Sequence, residues 1–322
     1  MQWDDRIGRR LKLRDVHILL AVAQWGSMAN AAKRLAISHP VVSKAIADLE
    51  YTLGVRLLER SRQGVEPTLH GRALLNHGLA AFDELRQCVK EIEFLNDPTA
   101  GEVRVAGTEP MMAGLLPVVI ERLCRRYPGL TIHATQVYTT PDLYQGLRER
   151  TVDLLVARPL SRTIERDLNA EMLFYDPVLV VAGKQSRWAN RRKVELSELI
   201  SEPWILPRSN TAIGSLVADT FHGCGLELPR PAVIANSIHL ENALLASGHF
   251  LTMLPSSLVK FSSQRSSLKV LPVKLPAQLS PVSIVTLKNR SLSPTARIFI
   301  DCVRNVAEPL ATNSKGLRGD DR

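Results

Sequence analysis

The chain has 322 residues, 45% of them hydrophobic and 23% charged. That length exceeds one ordinary domain, and that balance excludes a fibrous or wholly disordered polymer. A formal net charge of +9, with 11 Lys or Arg against 7 Asp or Glu in residues 1–70, favours a polyanionic partner, because bound cations release counterions from nucleic acid.

Cys88, Cys124, Cys224 and Cys302 are far apart and make no CxxC pair or zinc-spaced Cys/His group, so neither a metal nor a cofactor is expected. Scattered thiols and the lack of a basic, apolar leader fit a reducing cytoplasm. Apolar runs such as 115–120 and 178–182 are far shorter than a membrane span, so no membrane association is expected.

In chain order, Leu13, Val16, Leu20 and Ala23 recur at three and four residues and predict a helix with one apolar face, ended by Gly26. Ser27 is placed to cap a second helix over 28–35, with Ala29, Ala31 and Ala32 permitting close packing. After a short turn at 36–38, a third helix carries Pro40 in its first turn and an apolar stripe of Val42, Ile46, Leu49 and Leu53; Gly54 stops it. Two short helices across a tight turn, backed by a third, are the pattern of a helix-turn-helix. Its second helix would turn Ser38, His39, Pro40, Val41, Ser43, Lys44 and Ala47 toward a DNA major groove. A plain three-helix bundle with a solvated face has the same periodicity. Two extended pieces around Gln63-Gly64 then predict a hairpin wing, with Arg60 and Arg62 at its tip for backbone or minor-groove contact.

These residues form a colinear run: Leu13-Arg14-Asp15, Ala31-Ala32-Lys33-Arg34-Leu35, Ser38-His39-Pro40-Val41-Val42-Ser43-Lys44-Ala45-Ile46, Leu49-Glu50, Leu53-Gly54-Val55-Arg56-Leu57-Leu58-Glu59-Arg60, Thr68 and Gly71. The run resembles the signature of the LysR-type transcriptional regulators, whose pattern reads AA-x-x-L, S-Q-P-A-V-S-x-x-I-x-x-L-E and L-G-x-x-L-F-x-R. It departs from that pattern at His39 (usually Gln), Val41 (usually Ala) and Leu58 (usually Phe). The first two changes bear on the operator sequence and not on the fold.

A further helix from Thr68 to about Asn96 would span roughly 40 Å at ~1.5 Å per residue. Leu75, Gly78, Phe82, Leu85, Val89 and Ile92 give it an a/d rhythm that suits pairing with a second copy. Packing onto its own domain is the alternative. Asp97-Pro98-Thr99-Ala100-Gly101 reads as a hinge.

From Glu102 onward strands alternate with helices, the pattern of an α/β domain with parallel pairing. Strands are predicted at 103–106, 131–137, 153–157, 178–181, 204–206, 232–235, 250–254 and 282–287. Helices are predicted at 115–127, 143–150, 213–221, 240–246 and 295–306. The resemblance implies the crossing between lobes. It gives an α/β chain overall: a mainly α N-terminal winged helix-turn-helix (1–67), a linker and dimerisation helix with its hinge (68–100), and a two-lobed α/β periplasmic-binding-protein-like effector domain (101–310). Lobe I would hold 101–175 and 272–310, and lobe II 176–271. Residues 311–322 are expected to be a disordered tail.

Ligands of open α/β sheets bind beyond the carboxyl ends of strands. That rule selects Thr108, Glu109, Tyr138, Thr139, Thr140, Arg158, Asn210, Thr211, Asn236, Ser237 and His239 as effector contacts. Each Ser or Thr is equally suited to be a helix cap. Arg158 suits a carboxylate and equally a salt bridge, whereas Glu109 opposes an anion. The expected effector is therefore either a neutral, hydroxylated compound or an acid held by Arg158. No G-x-S-x-G, H-E-x-x-H, P-loop or G-x-G-x-x-G occurs, which argues against an enzyme. Cys224, between two glycines, is the foremost candidate among the cysteines for a thiol sensor, but no basic residue adjoins it. The resemblance further implies double-stranded promoter DNA, a small-molecule effector, a homodimer or homotetramer, and RNA polymerase as partners.

Overall fold

The computed structural model describes residues 10–61, 64–138, 143–159, 164–261, 265–276 and 281–315. The chain divides into two compact units, Met1–Cys88 and Val89–Arg322. In the first, α1 (Leu13–Trp25), α2 (Met28–Leu35) and α3 (His39–Leu53) precede a two-stranded antiparallel hairpin, β1 (Leu58–Ser61) and β2 (Gly64–Pro67). Gly26, Ala36 and Gly54 take left-handed conformations that end the three helices. Ser27 caps α2 by accepting from the Asn30 N–H at 3.1 Å.

The buried set of α1 is Val16, Ile18, Leu19, Ala21 and Val22, not the stripe that begins at Leu13, which is exposed. The cause is two-sided packing. One flank of α1 meets α2 and α3. Gly78, on the following helix α4 (Leu69–Asn96), comes so near the other flank that a Cβ there would lie 2.7 Å from Val16 Cγ1. The a/d rhythm of α4 is accordingly split. Leu75 and Phe82 pack on the first unit's core, whereas Leu85, Val89, Ile92 and Leu95 remain exposed.

The second unit contains two five-stranded sheets. In the first, the order is β4-β3-β5-β12-β6: β3 (Ala100–Thr108), β4 (Gly129–Val137), β5 (Leu154–Ala157), β6 (Leu168–Tyr175) and β12 (Pro281–Leu287). In the second it is β11-β7-β10-β8-β9: β7 (Val178–Gly183), β8 (Trp204–Leu206), β9 (Pro231–Ile234), β10 (Leu251–Pro255) and β11 (Leu268–Val270). β3, β4 and β5 are parallel, but β12 runs antiparallel to β5 and β6. Mixed pairing follows from the chain leaving the first sheet after β6 and returning at β12. Helices α5 (Glu109–Ala113), α6 (Leu115–Arg126) and α7 (Gln145–Arg148) belong to the first lobe. Helices α8 (Ala212–Gly223), α9 (Ile238–Ala246) and α10 (Ser256–Phe261) belong to the second, and α11 (Pro294–Lys315) packs back on the first.

Strand β11 and the short helices α5 and α10 have no counterpart among the predicted elements. β6 has no counterpart among the predicted strands, because Asn169, Ala170, Glu171 and Met172 are all exposed and no apolar alternation marks them. The hinge ends early: Ala100 and Gly101 already pair, in β3, with Gly129 and Leu130, and Asp97 accepts from both the N–H and the hydroxyl of Thr99. Helix α11 continues past Leu310 to Lys315, because Val303, Val306, Ala307 and Leu310 sustain its buried stripe through Pro309; residues 316–322 of the expected tail lie outside the described residues.

Candidate functional site

In the first unit, Ser38 stands at the N-cap of α3 without a side-chain cap bond, so its hydroxyl is not committed there. His39, Pro40, Val41, Lys44 and Ala47 are exposed along one side of α3 and Ser43 is half-buried, while Val42, Ala45, Ile46 and Leu49 face the core. The exposed side of α3 thus carries His39 and Lys44 among the small or apolar Pro40, Val41 and Ala47. Arg60 occupies β1 opposite Val65; Arg62 lies outside the described residues. The wing is fastened at two points. The Val65 N–H donates to the Gly26 carbonyl at 3.0 Å. Glu50 Oε1, on α3, accepts from the N–H groups of Leu57 and Leu58 at 2.7 and 3.3 Å. This role of Glu50 escapes sequence reasoning, since a half-buried Glu on α3 reads as ordinary surface until its two backbone donors are seen.

In the second unit a cavity opens between the two lobes. Among the expected contacts, Thr108, Glu109, Tyr138, Arg158, Thr211 and Asn236 line it. Ser237 borders an adjoining groove with Glu109, Tyr138 and Asn236. Asn210 and His239 are exposed and line neither. Thr139 and Thr140 lie outside the described residues. The remaining walls are mostly apolar, among them Leu143, Ile213, Met253 and Val282.

Several polar groups here are already engaged. Thr211 Oγ1 accepts from the Gly214 N–H at 3.1 Å and donates to the Arg208 carbonyl at 2.7 Å, so it caps α8. Ser237 likewise caps α9, accepting from Leu240 N–H at 3.3 Å. Asn236 Oδ1 accepts from the Arg208 N–H at 3.0 Å. Arg158, buried, donates from Nη2 to the Asp176 carbonyl at 2.6 Å and lies 3.6 Å from the Asp176 carboxylate. That carboxylate also accepts from both the Ser257 N–H and hydroxyl and from the Ser256 hydroxyl. Burial pushes the Arg158 guanidinium below its ordinary pKa, and Asp176 works against that shift. Arg158 is thus built into a buried ion pair at the cavity wall.

Glu109 bridges the lobes. Its Oε1 accepts from the Ile238 N–H at the start of α9 at 2.7 Å, and its Oε2 accepts from Gln136 Nε2 at 3.1 Å. A carboxylate from lobe I therefore fills the N-terminus of a lobe II helix, where exposed N–H groups and the helix dipole favour an anion. Glu241, one turn into α9, also lines the cavity and is only 6% exposed. Burial, reinforced by the nearby Glu109 charge, raises its pKa to about 8. The sequence does hold a signal for Glu241: it shares the buried face of α9 with Ile238, Asn242 and Leu245 at helical spacing. Cys224 is half-buried against the core of lobe II and lines neither opening.

Comparison with known proteins adds the following. A profile described as the LysR substrate binding domain matches residues 96–308, and one described as a bacterial regulatory helix-turn-helix protein of the lysR family matches residues 13–72. The HTH-type transcriptional regulator YdcI of Escherichia coli (strain K12), itself uncharacterized, is 26% identical over 304 residues, covering 94% of this chain and 98% of its own. GbpR of Azospirillum brasilense, another HTH-type transcriptional regulator, is 27% identical, covering 93% of this chain and 87% of its own. Among solved structures, a full-length OxyR variant from Pseudomonas aeruginosa superposes with a TM-score of 0.68 at 21% identity, covering 93% of this chain and 97% of its own. Full-length CbnR, in complex with its target DNA, gives a TM-score of 0.54 at 23% identity, covering 92% and 100%. The two structures support the fold.

Proposed function

This chain belongs to the LysR family of bacterial transcriptional regulators, and on that premise we propose that a small molecule held between its two lobes controls its action at a promoter. It is a DNA-binding regulator with a substrate-binding domain, not an enzyme. One observation carries the finer reading. The same chain that has the helix-turn-helix also has a mostly apolar cavity with a few convergent polar groups, and that is the make-up of a small-ligand site. The cavity walls come from both lobes, so a ligand contacts more protein when the lobes are closed than when they are apart. That difference in affinity is what a ligand needs to shift a conformational equilibrium.

In this reading α3 enters the major groove with Ser43 and Lys44 reaching phosphates or base edges, and the wing contacts the adjacent backbone. The exposed apolar row on α4 pairs two copies, placing two heads on an inverted repeat. RNA polymerase is the partner through which activation would proceed.

The test has two arms. Affinity for DNA upstream of the chain's own gene falls steeply with salt, and Lys44→Ala flattens that slope by about one if Lys44 contacts a phosphate. In the second arm, Ala212→Trp fills the cavity. A metabolite extract that alters the footprint of the unsubstituted protein then has no effect on the variant. An equal response from both proteins would remove the cavity from the mechanism.

A further inference from the structure

We propose that the cleft is selective for a compact amine, with an apolar body among Leu143, Ile213 and Met253 and a protonated amino group between the carboxyl groups of Glu109 and Glu241. This deepens the reading above and rests on the cavity being the effector site.

The first argument is the occupancy of the anion-binding positions. An acidic effector needs a cation or a vacant helix N-terminus. Arg158 is already paired with Asp176, and the start of α9 already receives Glu109. An incoming carboxylate would displace a carboxylate from the same chain and would face the Glu109 charge while doing so. The second argument is Glu241. Among the described residues its carboxyl group has no hydrogen-bond or ion-pair partner, although it is buried and borders the cavity. Its carboxyl oxygens keep some exposure at the cavity wall, so a ligand donor can reach them there.

Charge balance points the same way. The charge that acts on Glu241 is Glu109, which is negative; Arg158, elsewhere on the cavity wall, is paired with Asp176, Tyr138 is at the mouth, Arg208 borders the outer groove, and His239 is exposed. Water screens Arg208 more than it screens the buried carboxyl groups. An ammonium between Glu109 and Glu241 has three donors for two carboxyl groups. The elevated pKa of Glu241 fits this role: it is neutral when the cavity is empty and ionises as the cation arrives.

The experiment titrates the full-length protein by calorimetry at pH 7 with three probes that share a phenylethyl body and differ in the polar group: 2-phenylethylammonium, 2-phenylethanol and 3-phenylpropionate. The ammonium is expected to bind at least tenfold more tightly than the other two. Runs in two buffers of different ionisation enthalpy are expected to show up to one proton released per ammonium bound. Glu241→Gln is expected to weaken the ammonium at least tenfold and abolish that release, while its melting curve reports that it folds. Glu109→Gln, which retains an acceptor for Ile238, is expected to weaken it as well. Ammonium binding that is unchanged in both variants overturns the proposal. Tighter binding of the carboxylate or alcohol, lost in Ala212→Trp, overturns the amine but keeps the cavity as a ligand site. Binding of any probe that persists in Ala212→Trp overturns both.

Discussion

Asp153 and Arg290 meet at 2.9 Å inside lobe I, with both side chains buried. The other Asp153 oxygen accepts from the Arg104 N–H at 2.9 Å, and Arg290 also donates to the Val152 carbonyl. Lys90, near the end of α4, adds its ammonium 3.9 Å from Asp153 and 3.2 Å from Glu102. Breaking a buried pair from one side strands the other charge, so Asp153→Ala should cost about 3–5 kcal/mol. The double variant Asp153→Ala with Arg290→Met should recover much of that loss. Urea unfolding of the unsubstituted protein, Asp153→Ala, Arg290→Met and the double variant measures the coupling, and additive losses would mean the two side chains act independently.

Glu50 offers a second prediction, in the DNA-binding unit. It is the sole side-chain acceptor described for the Leu57 and Leu58 amides, at the point where α3 passes into the wing. Glu50→Ala should cost about 1–3 kcal/mol through the unsatisfied donors, and Glu50→Gln less, since one oxygen remains. Amide exchange at Leu57 and Leu58 should accelerate in the alanine variant, with weaker DNA binding from a loosened wing. Unchanged exchange would place the wing's anchor elsewhere.

The helix-turn-helix was legible because Val42, Ile46 and Leu49 repeat at helical spacing and Gly26 and Gly54 mark helix ends, all local signals. The α/β class was legible for the same reason, in runs such as Leu154–Ala157, whose four residues are all buried. What escaped depends on distant partners. Nothing near Glu109 in sequence reveals that Ile238, 129 residues away, donates to it. Arg158 suits a carboxylate ligand and a salt bridge equally until Asp176 is seen beside it. β6 is defined by its pairing with β12, over one hundred residues later, and not by its own composition.

The α4 row supports a third prediction. Leu85, Val89 and Ile92 are each about half exposed in the single chain, and a contiguous apolar row of this kind favours burial against a like row. Ile92→Glu, alone or with Val89→Glu, should shift the protein toward monomer in sedimentation velocity. It should also weaken binding to a two-half-site operator far more than to a single half-site. A variant that sediments as the unsubstituted protein does would exclude this row as the pairing surface.

The last prediction concerns pH and Glu241. Its carboxyl titrates near 8 in the folded chain against about 4.5 for an ordinary glutamate, chiefly because burial disfavours the charged form and secondarily because Glu109 is near. Between those two values the folded chain holds a proton that the unfolded chain has released. Stability from this group is therefore complete below about pH 4.5 and is lost as pH rises through 8, at up to about 1.4 kcal/mol per unit. Glu241→Gln keeps the neutral shape and has no proton to lose. The unsubstituted protein should thus lose melting temperature relative to the variant between pH 6 and pH 8.5, with the gap levelling above that. A constant gap across the range would mean that Glu241 is ionised throughout and that solvent, not the lobe interior, surrounds its carboxyl group.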